Sequence, residues 1–484
     1  MRLPFPTSIP MMQALPIFGV LLAVQLLEGT DPSFAVLMLI AQVFAVLAFN
    51  ALGGMSHVAG SFCMFSLLPN VTVPEIAHAI VGQPGDYHIL APLKTAAVCA
   101  VFYASLYAAA KFAVMLPHPP PLLDRVQFSL TELRAVSALS AILSLFIAIA
   151  VLFSGGVQDG TTLAAIQHFY PLLNPLSVIA ATYVRLSSTL RRSAMSWYVA
   201  VILAAGIIPG VLSASKEGML TPMLCWLLVC GARRYSFTRR QVAVLAGFIL
   251  VAWFFVYPYS QNARDVVHAA KSFPERIAVI VAYFRNPSIV EDTTSNVDPD
   301  ASEFGESSSK LSIVQRFSLL NSAGMLINAD QTEGFTGIER YFPAFFSIVP
   351  HFVWPDRPVA VASNELGHKA GFKMGRDDTT TGIAISSPAL FYDVGGWLGL
   401  PVYTMLDFLF YFYVLRSIFG TATRSVWGLM MIGATAYASG VFFPSTPIVM
   451  IEVFLTAFAV LVGCLKIVAY LSESLFSRPV MQEH

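Results

Sequence analysis

The chain has 484 residues, 56% of them hydrophobic and 12% charged, with a mean hydropathy of +0.69; that charged share is about half that of an average soluble domain. Its 28 basic and 28 acidic residues cancel, which excludes the one-signed field that gathers nucleic acid and leaves any electrostatic function to local placement. Composition therefore assigns a polytopic membrane protein.

The opening stretch, "MRLPFPTSIPMMQALPIFGVLLAVQLLEG", has one Arg, several prolines and no small-x-small cleavage site before Glu28, so it reads as a retained first helix. A membrane span takes about 20 apolar residues. On that measure about twelve spans are expected, near 12–27, 33–52, 56–68, 93–115, 135–154, 172–187, 195–213, 218–231, 241–258, 387–415, 425–443 and 447–470. The five cysteines lie within apolar runs, without the spacing of a disulfide framework or a zinc site, and read as small buried hydrophobes. No period of about 20 to 50 residues repeats and no broken helices mark two halves, which weakens the transporter that twelve spans would suggest.

Basic residues orient the chain. Arg125 with Arg134, then Arg185, Arg191 and Arg192, then Arg233, Arg234, Arg239 and Arg240, then Arg416 and Arg424 fall in alternate connections. The intervening "NVTVPEIAHAIVGQPGDYHILAP", "SGGVQDGTTLAAIQHFYP" and "FFPSTP" hold no Lys or Arg. Because basic residues stay on the cytoplasmic side, both termini are expected in the cytoplasm. The chain then divides into an N-terminal bundle of about nine spans (1–258), one long external loop (259–386), periplasmic in a diderm bacterium, and about three C-terminal spans (387–484).

That loop is far longer than an ordinary connection of about 4 to 6 residues, so it is functional, disordered or both. Residues 290–310, "VEDTTSNVDPDASEFGESSSK", are acidic and nearly free of large apolar side chains, the composition of a mobile flap that could gate an opening. "LSIVQRFSLLNSAGMLINADQ" carries Leu311, Val314, Leu319 and Leu320 at helical spacing and predicts an interfacial helix. "GIERYFPAFFSIVPHFVWPDRP" is aromatic and too interrupted by proline to span, as expected of a re-entrant or membrane-surface element.

Four basic residues stand apart from the others in or beside the loop. Arg264 in "YSQNARD" follows a span end, Arg340 in "GIERYFP" and Arg357 in "WPDRP" are bracketed by aromatics, and Lys216 in "SASKEGM" sits at the outer junction of two spans. A guanidinium among aromatics at a membrane surface suits bidentate contact with phosphate; a solvated face or a salt bridge is the competing reading. His351, His368, Asp356 and Glu339 are the candidate proton acceptors, against simpler roles as turn caps or satisfied polar groups. No HExxH, Walker loop or loop DxD is present, and "VDPD" at 297–300 lacks supporting ligands, so neither a metal nor another cofactor is expected.

"EGFTGIERYFPAFFSIVPHFVWPDRP", then Asn364 and "TTTGIAISSPALFYDVGGWLGL", resemble the C-terminal signature of Wzy-type O-antigen and oligosaccharide repeat-unit polymerases. In that family a Pro-basic-aromatic-x-Trp-Pro-x-basic-Pro knot closes the long external loop. An acidic or small residue, Tyr and a Gly-x-x-x-Gly run then open the next helix. The matching positions are Pro350, His351, Phe352, Trp354, Pro355, Arg357 and Pro358, followed by Tyr392, Gly395 and Gly399. His351 and Lys216 each stand where such proteins carry Arg.

The resemblance implies an all-α, GT-C-like helix bundle of the bacterial inner membrane, a metal-independent glycosyltransferase that extends a surface polysaccharide or exopolysaccharide. Donor and acceptor would be oligosaccharides on undecaprenyl pyrophosphate, with membrane lipids, a chain-length regulator and other polysaccharide-assembly proteins as candidate partners. Arg264, Arg340, Arg357 and Lys216 would face the departing pyrophosphate, with Trp354 and Tyr392 beside the substrate. Asp356 or His351 would accept the proton of the attacking hydroxyl, Asp356 slightly ahead because Arg357 keeps it ionised. An O-antigen ligase shares this donor and architecture and stays open on sequence. A transporter or flippase of lipid-linked sugars would instead line its spans with polar residues, for which Gln25, Gln42, Asn50, Asp407 and Glu452 are the candidates. A structural scaffold would leave the aromatic knot unexplained.

Overall fold

In the computed structural model, the described residues form an all-helical protein apart from one isolated β-bridge between Arg2 and Ser236. The structure describes residues 1–125, 128–153, 162–167, 169–263, 266–267, 270, 273–285, 319–346, 354–356, 358, 363–372, 384–437, 450–451 and 453–463. The expected flap at 290–310, with Arg264, His351 and Arg357, lies outside them.

The helices of the first half are α1 (Met11–Leu27), α2 (Pro32–Ala51), α3 (Val58–Leu67), α4 (Val73–Val81), α5 (Pro92–Met115), α6 (Leu130–Phe153), α7 (Thr162–Gln167), α8 (Tyr170–Ser188), α9 (Trp197–Leu212), α10 (Lys216–Ala232), α11 (Arg239–Val251) and α12 (Tyr257–Asn262). The loop contributes α13 (Phe273–Arg285), α14 (Leu320–Thr332), α15 (Ile338–Tyr341) and α16 (Ser363–Lys369). The C-terminal part contributes α17 (Ser387–Asp393), α18 (Gly396–Ile418), α19 (Val426–Tyr437) and the apolar helix α20 (Val453–Gly463).

Among the described residues, six segments are long and apolar enough to cross a membrane: Pro32–Ala51, Val58–Val81, Pro92–Met115, Leu130–Phe153, Arg239–Ser260 and Gly396–Arg424. Shorter apolar helices (α1, α9, α19 and α20) fall on other expected spans. Local chemistry explains the boundaries. Asp31 caps α2 by accepting from the Ser33 and Phe34 amides, with Pro32 at the first helical position, where its missing N–H costs nothing. Thr238 and Gln241 form a reciprocal capping box at the start of α11.

Two boundaries differ from the sequence reading. The segment after residue 68 is not a plain connection: a π-turn over Leu68–Thr72 absorbs Pro69, and the helix continues through α4 to Val81. Asn70 donates to the Ser66 carbonyl oxygen at 2.6 Å inside that turn. The span expected at 387–415 is broken, because the chain turns at Val394 and Gly395 between α17 and α18. The loop helix expected at the interface is packed inside instead. Leu320, Ala323, Leu326 and Ile327 of α14 are fully buried, and a Cβ on Gly324 would fall 2.5 Å from the Leu90 carbonyl oxygen, so only glycine allows that approach.

At the centre, α5 packs between α2 and α18, while α8 packs against α6, α9, α10 and α19. Phe62, Phe102, Phe391 and Phe408 meet where α3, α5, α17 and α18 converge, with Phe62 and Phe408 ring centroids 4.7 Å apart and Phe391 and Phe408 5.5 Å apart. Each such pair contributes about 0.5–1.5 kcal/mol beyond area burial. That matters here because apolar burial alone does not favour helix contact over lipid contact.

End-to-end contacts fix helix directions. Lys94 near the start of α5 lies over Tyr392, which precedes α18, while His118 beyond α5 meets Tyr413 late in α18, so those two helices run parallel. Tyr198 at the start of α9 donates to the Arg134 carbonyl at the start of α6, and Phe128 meets Trp427 at the start of α19. Arg134, Arg185, Arg233, Arg416 and Arg424 therefore collect at one end of the bundle. Helices α14 to α17 occupy the other.

Candidate functional site

At the end opposite the arginines, four short helices converge on one carboxylate. Asp393 closes α17 and is fully buried. Its Oδ1 accepts from the Thr336 amide at 2.9 Å and from Lys369 Nζ, and its Oδ2 accepts from the Tyr341 hydroxyl at 2.6 Å. Lys369, the last residue of α16, also donates to Thr336 Oγ1 at 3.1 Å and pairs with Asp330 Oδ1 of α14 at 2.7 Å. Gly337, at φ +83°, turns the chain so that its amide reaches the Asp393 carbonyl at 3.3 Å while α15 starts at the next residue.

Both carboxylates are fully enclosed and the Lys369 side chain is 14% exposed. Two like charges that close cannot both ionise cheaply. Burial, then the adjoining Asp393, pushes the Asp330 carboxyl well above the ordinary aspartate range. Burial also acts against the Asp393 charge, but hydrogen bonds from Asp330, Lys369, Tyr341 and Thr336 outweigh it and hold that group low. Burial opposes the Lys369 charge as well, and its bonds to Asp330 and Asp393 more than compensate, so the ammonium persists. The consistent state at neutral pH is an ionised Asp393, a protonated Asp330 and a charged Lys369, with no net charge. Burial and the Asp393 charge raise the Tyr341 phenol, which keeps it a hydrogen-bond donor.

The cluster carries a rim. Arg340 precedes Tyr341 on α15 but points outward, forming an ion pair with Glu365 of α16, both side chains about half exposed. Tyr392, adjacent to Asp393, is buried between Phe335 and Trp397 at centroid distances of 5.5 and 5.3 Å, with Lys94 Nζ 4.9 Å from its ring centroid. The arrangement thus holds one proton internally, presents a guanidinium and a carboxylate at the surface, and offers an aromatic wall with an ammonium against it.

The expected site residues distribute unevenly. Arg340 and Tyr392 are brought to this cluster. Trp354 is partly exposed, edge-on to Phe346 at 5.4 Å, and Asp356 is exposed in the turn that follows. Lys216 opens α10, capped by Ser215, beside a separate core of Ala214, Met219, Tyr259 and Tyr283. Arg264, His351 and Arg357 fall outside the described residues. Asp330, Tyr341, Lys369 and Asp393 were not singled out as site residues from sequence. The available signal was an ionisable residue immediately before an apolar span, which is expensive enough to demand a partner. Among the described residues no group of three or more His, Cys, Asp or Glu side chains is placed to hold a metal ion.

No family model, curated protein or solved structure matches the chain.

Proposed function

We propose that the chain is a membrane glycosyltransferase that polymerises oligosaccharide repeat units carried on undecaprenyl pyrophosphate. In this reading it is a GT-C-like bundle of about twelve spans in a bacterial inner membrane, with cytoplasmic termini and the polar cluster on the outer face. An acceptor sugar hydroxyl attacks the anomeric carbon of the donor glycan; the bond from that carbon to the pyrophosphate oxygen breaks, and the electron pair leaves with the pyrophosphate. The hydroxyl proton passes to Asp356 or His351. Arg340, with Arg264, Arg357 and Lys216, supplies positive charge where negative charge develops on the departing pyrophosphate.

One observation carries the proposal. The Tyr341 to Asp393 hydrogen bond joins the "GIERYFP" segment to the head of the "GGWLGL" helix, the two separated pieces of the polymerase resemblance, and it leaves Arg340 on the exposed side of the junction. The arginine-rich opposite end supports the orientation, since basic residues are retained in the cytoplasm.

The test is extension of an undecaprenyl-pyrophosphate-linked repeat unit by the purified full-length protein in detergent, read as a ladder of longer glycans. Arg340→Ala should abolish the ladder while the protein stays folded, because an exposed ion pair contributes only about 0–1 kcal/mol. In cells a deletion should leave single-repeat glycans. Free lipid-linked long chains would instead indicate a ligase, and an unextended substrate that crosses the membrane would indicate a flippase.

A further inference from the structure

At the arginine-rich end, a groove of about 590 Å³ opens between the start of α6, the end of α8 and the start of α9. Its floor is small, formed by Ala135, Ala138 and Ala181, and the missing side-chain volume is what makes the groove. Arg134 and Arg185 lie along it, with Trp197 and Tyr198 on the flank. Neither arginine takes part in an ion pair among the described residues. Arg185 lines the groove, and its Nε is buried without a hydrogen-bond partner among those residues.

The same groove receives the N-terminus of α9, a helix of 16 residues capped by Ser196. The amides of its first turn lack intrahelical acceptors, and the helix dipole adds positive potential. Two arginines and a helix N-terminus favour an anion with several acceptor oxygens. The surroundings identify its source. Arg134 stands in the second turn of Leu130–Phe153, a segment long and apolar enough to cross a membrane, so the groove opens at the level of lipid headgroups. Trp197 is 78% exposed beside it, as expected of an aromatic side chain at a membrane interface. The alanine floor supplies an apolar track alongside the charged end, which suits an acyl chain and not a free ion.

We infer that this groove is a binding site for an anionic phospholipid, its phosphodiester held between Arg134, Arg185 and the start of α9, with an acyl chain along Ala135 and Ala138. It lies at the opposite end of the bundle from the Asp393 cluster and holds whether or not the chain transfers glycans. The bound lipid would add to the direct packing of α6, α8 and α9, beside the bond from Tyr198 to the Arg134 carbonyl, 3.2 Å long.

Trp197 reports occupancy. The full-length protein is placed in nanodiscs containing equal fractions of phosphatidylglycerol and phosphatidylcholine, with one or the other carrying brominated acyl chains. The Trp197 signal is taken as wild type minus Trp197→Phe. Brominated phosphatidylglycerol should quench it several-fold more strongly than brominated phosphatidylcholine, and Arg134→Gln with Arg185→Gln should erase the difference. Equal quenching by the two lipids in the wild type overturns the proposal without need of any variant. Displacement of the phosphatidylglycerol preference by millimolar inorganic phosphate, with sulfate inert, would make the site one for free phosphate and would also overturn it. Should the double variant misfold, Arg134→Gln alone serves, since only the backbone carbonyl of Arg134 makes the interhelical bond; an unchanged preference in a folded Arg134→Gln protein counts against the site.

Discussion

Asp393 and Glu75 both bury a carboxylate in this apolar chain, but their surroundings supply opposite kinds of compensation. Asp393 has a cation, a phenol and a backbone amide, contributed by residues far apart in sequence. Glu75 lies inside the Val58–Val81 segment, where its Oε2 accepts from Gln42 Nε2 at 2.7 Å and its carbonyl accepts from Gln25 Nε2 at 2.8 Å. Thr30 then donates to Gln25 Oε1, extending the chain of neutral partners. No ion pair to Glu75 occurs among the described residues. The difference teaches where charge is kept: outside the apolar segments it clamps separate helices, and within them only amides and a hydroxyl hold the carboxyl in place.

The clamp should therefore be the more sensitive of the two. Lys369→Met leaves two buried carboxylates facing each other without a cation, and breaking a buried pair in this way costs about 3–5 kcal/mol. Thermal unfolding in detergent measures it, and adding Asp393→Asn to Lys369→Met should recover part of the loss by removing the ionised carboxylate that has lost its cation. A single variant as stable as wild type would mean the clamp does not close.

Tyr341→Phe removes one donor from Asp393 Oδ2 and leaves a buried acceptor unsatisfied, which costs about 1–3 kcal/mol. The loss should be largest where Asp393 is ionised, at neutral pH, and should shrink in acid. Equal destabilisation at acid and neutral pH would argue that the phenol packs without bonding.

The pH dependence sharpens the comparison further. The folded state raises the Asp330 value and so keeps a proton that the unfolded chain releases. Stability contributed by that group falls as pH rises from the ordinary aspartate range up to the raised folded value, then levels off. Asp393 has the opposite sign: its depressed folded value stabilises above the unfolded value, and that contribution is lost as pH falls through the folded one. Asp330→Asn should therefore remove the downward slope toward alkaline pH while preserving the acid limb. A variant with both limbs intact would place the proton elsewhere.

Much of the bundle was legible because span length, apolar runs and alternating arginines act locally. The α3 to α4 continuation was not, since Pro69 and Pro74 normally signal a boundary and only a π-turn lets the helix pass them. Of the candidate site, Arg340 was reached because aromatics bracket it and Tyr392 through the motif, and both flank the cluster. Its centre was hidden for a physical reason: Asp330, Lys369 and Asp393 lie on three helices, and nothing adjacent to Lys369 distinguishes it from Lys373 or Arg376 as the partner of two acids. Asp330 sits within "MLINADQ", where it resembles an ordinary polar position at a helix end.

The smallest effect should come from Glu75→Gln. The amide of the new side chain keeps an oxygen for the Gln42 donor, so the 2.7 Å bond has a direct replacement, and no cation loses its partner. One group changes for the worse, since the added N–H₂ needs an acceptor in a small cleft lined by Phe18, Leu22, Phe34 and Leu39. A neutral isostere there should shift stability by about 1 kcal/mol or less, the net value of an ordinary hydrogen bond. Glu75→Leu is the informative contrast: it fills the site with apolar volume but orphans the Gln42 amide, and should cost more than the isostere. If Glu75→Gln proved as damaging as Lys369→Met, the carboxyl would have to be charged and paired, and the division between a charged clamp outside the apolar segments and neutral partners within them would fail.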